Sequence, residues 1–137
     1  MNNSLIPQIG SPSDVRFFSL TEAELLLPQV QKLTRHAVSD FKPIQFRYQR
    51  LLDCDPRKEQ LALDYENIVS SWAAHMKRLG LIVRGLWEVG FHTGDGYLSW
   101  CYPELRLAFF VELDDPTKKR RLLSEVLAEF LPSWAYQ

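Results

Sequence analysis

The sequence predicts an α+β protein, and three observations carry that prediction. Large apolar residues recur at Leu61, Tyr65, Ile68, Trp72, Met76, Leu79 and Val83, at spacings of three and four that only an α-helix stacks into one stripe. An earlier stripe with a similar period runs through Leu26, Val30, Leu33, Ala37, Phe41, Ile44, Tyr48 and Leu51. After Arg84-Gly85 the period falls to two, with Trp87, Val89 and Phe91 alternating with Glu88, Gly90 and His92. Together these imply a long, kinked antiparallel helical hairpin packed with a three-stranded antiparallel β-meander and a C-terminal helix.

Residues 1–16 hold Asn, Ser, Pro and Gly between scattered apolar residues and read as a flexible N-terminal tail. They lack a basic stretch followed by a long apolar run, so no signal peptide is expected. A single domain is expected over 17–131, with 132–137 as a C-terminal tail that nonetheless carries Trp134 and Tyr136. Ser19 and Glu22 form a capping box, in which each side chain satisfies a free backbone N–H at the start of the first helix. Pro28 and Pro43 each remove a helical N–H, and because the stripe keeps phase across Pro43 a kink is expected there. Asp53-Cys54-Asp55-Pro56 is the turn of the hairpin, with Asp55 as N-cap and Pro56 as first residue of the second helix, which ends near Gly80.

Thr93-Gly94-Asp95-Gly96 turns the chain into a second strand, Tyr97–Tyr102, and Pro103-Glu104 turns it into a third, Leu105–Leu113. Gly94 and Gly96 give no phosphate cradle, because they join two strands instead of leading into a helix. Keeping the apolar set on one face pairs Phe91 with Leu98 and Val89 with Trp100, then Trp100 with Leu107 and Leu98 with Phe109. Asp114-Asp115-Pro116 opens the last helix, which buries Leu123, Val126, Leu127 and Phe130.

At 137 residues the chain is long enough for a core of its own. Sixteen basic against 17 acidic residues leave a net charge of −1, so nothing global draws it to nucleic acid or an anionic membrane. Cys54 and Cys101 are too few and too far apart for a disulfide framework and read as reduced thiols. No apolar run reaches the length of a membrane span, and a cytoplasmic protein is expected.

The run Phe18-Ser19-Leu20-Thr21-Glu22-Ala23, followed by Leu26-Leu27-Pro28, resembles the start of a bacterial domain of unknown function, DUF2203. Trp72 with Leu79-Gly80, and Leu98-Ser99-Trp100 with Pro103-Glu104, are similar to later stretches of that family, so the resemblance spans roughly residues 18–112. Two family features have no counterpart. Gly90-Phe91-His92 runs straight into a turn where the family continues with Asp-Phe-Pro, and Phe110-Val111 stands where a Trp-His pair would fall. The resemblance therefore implies a family and no mechanism.

Three surfaces are candidates for function. The expected register lines up Glu88, Cys101 and Arg106 in one row of the meander's outer face, with Ser99 in the next row and His92 and Tyr97 in the third. An Arg beside a thiol and a carboxylate would make a ligand site or a small active site, although a cross-strand ion pair on a solvated face needs no ligand. The distal hairpin, through Phe41, Ile44, Tyr48, Leu51 and Leu61, would remain open. A helix of about 25 residues runs about 37 Å, while three strands span on the order of 10–15 Å. That strip predicts a homodimer or another protein partner. Lys118, Lys119, Arg120 and Arg121 form a basic patch that could meet nucleic acid or an acidic partner, the weaker reading at this net charge. His36, His75 and His92 do not cluster at ligand spacing, so no metal and no cofactor are expected. The leading expectation is a non-enzymatic, self-associating protein-interaction module.

Overall fold

Leu20–Arg50 forms one helix, α1, and Arg57–Arg78 a second, α2, in a computed structural model that describes residues 16–136. The expected N-terminal tail lies outside the described residues apart from Arg16. The capping box is present: Glu22 N–H donates to Ser19 Oγ at 3.2 Å, and Ser19 N–H to Glu22 Oε1 at 2.9 Å. That backbone donor is the main reason the Glu22 carboxyl lies below its usual range. α1 runs unbroken through Pro28 and Pro43. Glu24 and Ser39, whose carbonyls lose their helical donors to the prolines, are both exposed, so water can serve them.

The helix starts one residue later than expected, with Pro56 at its N-cap position, but Asp55 still serves its first turn: Oδ1 accepts the Arg57 N–H at 2.9 Å while the carboxylate grips the same residue's guanidinium. The side-chain bonds to Arg57, then the backbone one, pull the Asp55 carboxyl down to about 2. α2 ends where Gly80 takes φ +90, and the Gly80 and Leu81 N–H groups turn back to the carbonyls of Lys77 and Met76. The helices are antiparallel: Thr34 meets Trp72, and further along Phe41 meets Tyr65.

The buried line of α1 is Ala23, Leu27, Val30, Thr34, Val38 and Phe41, which shares only Val30 and Phe41 with the expected stripe. Leu26, Leu33 and Ala37 flank the core half-buried. The line shifted because α1 touches both α2 and the rest of the core, and its centre is a residue that reads as polar. Thr34 is fully buried, and its Oγ1 accepts the Trp72 Nε1–H at 2.8 Å.

The sheet has five strands, not the expected three: β1 Ile82–Gly85, β2 Glu88–His92, β3 Gly96–Cys101, β4 Phe109–Glu112 and β5 Arg121–Leu122. They lie in chain order, each antiparallel to its neighbour. β1 was hidden because Val83 also fits the helical stripe of α2, and β5 is too short to show a period. Trp87 sits in the β1–β2 turn at φ +61, held edge-on against Phe41 and Trp72.

The β2–β3 register is the expected one, with Phe91 opposite Leu98 and Val89 opposite Trp100. The β3–β4 register is one residue away: Leu98 faces Phe110 and Ser99 faces Phe109. A longer loop replaces the two-residue turn at Pro103-Glu104. The Glu104 carbonyl is fixed by Trp100 Nε1–H at 2.8 Å and by the Gln31 side-chain amide at 3.2 Å. A one-residue slip exchanges the two faces of a strand. Phe110, expected outside, is buried and stacks on Trp134 at 4.9 Å.

The last helix, α3, is Leu123–Phe130 and starts later than Asp114-Asp115-Pro116 implied. Asp115 instead accepts from the Thr117 N–H and hydroxyl, and Lys118 at φ +51 turns the chain back so that β5 can pair with β4. Beyond α3, Trp134 is buried and donates Nε1–H to Asp95 Oδ2 at 3.0 Å. The C-terminal segment expected as a tail is anchored through that ring.

Candidate functional site

The outer face of the sheet holds part of the expected constellation. Glu88 lies opposite Cys101, Gly90 opposite Ser99 and His92 opposite Tyr97. Arg106 is not in the row: the shifted β4 register leaves it exposed in the loop before that strand. Its place is taken by Arg120. The Arg120 guanidinium donates to both oxygens of Glu104 at 2.7 Å and to Ser99 Oγ at 2.9 Å, and it lies over the Phe109 ring at 4.1 Å. Glu104 Oε1 also accepts the Cys101 N–H at 3.0 Å. Nothing in the sequence pairs Arg120 with Glu104, because the pairing depends on two irregular loops.

A second layer has the same form. The Tyr97 ring crosses Gly90 so closely that a Cβ there would stand 2.8 Å from its Cδ2. Arg84 lies over that ring at 4.8 Å and pairs with Glu88 at 3.2 Å. Expected as a shallow trough, the face is filled by its own arginines and rings, which leave Ser99 fully buried. Burial is the main cause that pushes the Cys101 thiol up, reinforced by Glu88 and Glu104 and only partly countered by Arg120. A thiol shifted that way is protonated at neutral pH, the opposite of what a nucleophile needs. Burial likewise lowers His92, whose Nδ1 accepts the Gly94 N–H at 2.9 Å and whose ring stacks on Phe17. Geometrically this face is a latch tying two loops to β3.

Lys118–Arg121 do not act as one basic patch. Lys118 Nζ donates to the Leu113 carbonyl, Arg120 turns inward to Glu104, and Arg121 bridges Glu112 and Glu129. Of the four, Lys119 alone is exposed, and the others are half-buried. Among the described residues, no group of three or more His, Cys, Asp or Glu is placed to hold a metal ion. No helix among them is long and apolar enough to cross a membrane. Both thiols are free, Cys54 exposed and Cys101 half-buried.

At the free end of the hairpin the expected strip is divided. Phe41 and Leu61 are buried within the chain: Trp87 and Tyr65 pack against the Phe41 ring, and Leu61 lies at the floor of a cleft beside the end of α1. Ile44 and Leu51 are half-buried, and Tyr48 is exposed with Lys58 Nζ over its ring at 4.4 Å. Phe46 and Leu52, absent from the expected set, are 59% and 75% exposed. A cleft of about 280 Å³ opens there between Phe46, Arg47, Arg50 and Leu51 of the α1 end and Arg57 and Leu61 of α2. Phe46 was missed because it stands off the apolar stripe. Within residues 42–58, Lys42, Arg47, Arg50, Arg57 and Lys58 outnumber Asp53 and Asp55, and that is the sequence signal that could have marked the cleft.

The chain matches the family model described as "Uncharacterized conserved protein (DUF2203)" over residues 16–123, and it belongs to that family. Neither the curated proteins nor the solved structures hold a match to it.

Proposed function

We propose that this DUF2203 member is a non-enzymatic protein-interaction module that works through the free end of its helical hairpin. One observation carries the reading: Phe46 and Leu52 are mostly exposed beside an apolar cleft, and no other element among the described residues covers them. Large apolar side chains grouped this way favour contact with another protein. The rival reading, a ligand site or enzyme on the outer sheet face through Glu88, Cys101, Ser99, His92 and Tyr97, loses support from the arginines that fill that face and from the raised Cys101 thiol.

A photo-crosslinking residue placed at Phe46 or Leu52 tests the proposal in the cells that make the protein. Discrete adducts are expected from these sites and none from the exposed Glu24 on the other half of α1. Equal labelling at all three would contradict it. Self-association is a second reading, favoured by the exposed Tyr48 beside half-buried Ile44. A two-fold axis there would bring Arg47 and Arg50 of both copies together, and like charges oppose such a pairing. Sedimentation equilibrium across the micromolar range, with Ile44→Asp as control, separates a dimer from a chain of 16.0 kDa.

A further inference from the structure

The charge pairing at the hairpin's free end is incomplete. Asp55 holds Arg57 at 2.7 Å and Asp53 holds Lys58 at 3.1 Å, which uses both carboxylates of the connecting loop. Arg47 and Arg50 are left over. Arg47 has no hydrogen-bond or ion-pair partner for its side chain among the described residues, and the Arg50 guanidinium has only the Phe46 ring, 5.2 Å away. Three residues apart on a helix, the two guanidinium groups repel each other. The dipole at the C-terminal end of α1 offsets part of that repulsion and accounts for cations in its last turn. It does not account for an apolar cleft between them and Leu61.

Resting on the interaction reading above, we propose that this cleft takes a segment of a different protein in which an apolar anchor side chain is flanked by carboxylates. The anchor fills the space between Phe46, Leu51 and Leu61, and the carboxylates pair with Arg47 and Arg50, whose planar forks suit bidentate bonds. Single-stranded nucleic acid fits less well. One face of Phe46 is already taken by Arg50 and one face of Tyr48 by Lys58, which leaves fewer ring faces for bases to stack on.

Selection of a random peptide library on the full chain, and in parallel on the Arg47→Ser/Arg50→Ser variant, tests this. Both positions are exposed, and an unchanged circular dichroism melt would verify that the variant folds. The expected result is a consensus of Asp or Glu beside Leu, Phe or Trp for the parent chain. Fluorescence anisotropy should then show affinity falling about tenfold or more in the variant, the scale of one lost charge-assisted contact, and weakening with added salt. A consensus without acidic residues, no consensus at all, or equal binding by the variant would overturn the proposal. So would tighter binding of labelled oligothymidylate than of any selected peptide. Crosslinks at Phe46 alongside a non-acidic consensus would remove the carboxylate partner and leave the interaction reading standing. Absence of both would remove both.

Discussion

Trp72, in the half of the hairpin near the sheet, bonds to Thr34 and sets its ring edge-on to Trp87 at 4.9 Å, with Val30 and Met76 fully buried nearby. Beyond Phe41 no strand among the described residues lies over the same two helices, and Phe46 and Leu52 are mostly exposed. Both halves carry apolar residues at helical spacing. The difference is what lies against them: the β1–β2 turn brings Trp87 onto the hairpin at Phe41 and Trp72, and none of the other described elements reaches further out. Apolar period therefore reports a stripe that can be buried, and only the reach of neighbouring elements decides whether the chain buries it itself.

The sharpest way to break this contrast is in the closed half. Trp72→Ala should cost about 3–5 kcal/mol in urea melts, as expected when a large ring leaves a cavity in a closed core. A loss below about 1 kcal/mol would mean that the near half is no better packed than the far one. Thr34→Val keeps the shape and strands the Trp72 N–H, so about 1–3 kcal/mol should be lost.

The outer sheet face gives the next effect. Glu104→Ala removes the partner of Arg120 and the acceptor of the Cys101 N–H together, and about 1–3 kcal/mol of destabilisation is expected in the same melts. The raised Cys101 thiol also sets an order of reaction. Iodoacetamide near neutral pH should modify exposed Cys54 well before Cys101, with peptide mass mapping as readout. Faster labelling of Cys101 would revive the enzyme reading.

How much of this was legible in the sequence follows from which contacts are local. The capping box at Ser19 and Glu22, the Asp55 bond to the first turn of α2, the end of α2 at Gly80 and the β2–β3 register all depend on residues close in the chain, and each was readable. The β3–β4 register was not. It depends on a loop whose length no alternation reports, and one residue of slip moved Phe110 inward and removed Arg106 from the Cys101 row. Arg120 then became the residue over Ser99. Thr34 was unreadable for another reason, because a buried hydroxyl looks polar until the Trp72 N–H that satisfies it is in place.

A smaller effect comes from pH. Burial holds the folded His92 below its ordinary 6.5, so between the two values the unfolded chain binds more protons than the folded one. Stability should therefore fall as pH drops through about 6.5 and remain lost below the folded value. Urea midpoints at descending pH should show the fall, and His92→Gln should flatten it. A parent chain that gains stability over that window would contradict the account.

The smallest expected effect is the most direct test of the central claim, that the free end of the hairpin is kept for a partner and contributes little to the fold. It is the urea melt of a Phe46→Ser/Leu52→Ser variant. With both side chains mostly in water, the change should stay within about 0.5 kcal/mol, as for surface substitutions generally. A loss of more than about 2 kcal/mol would show that these side chains belong to the protein's own core.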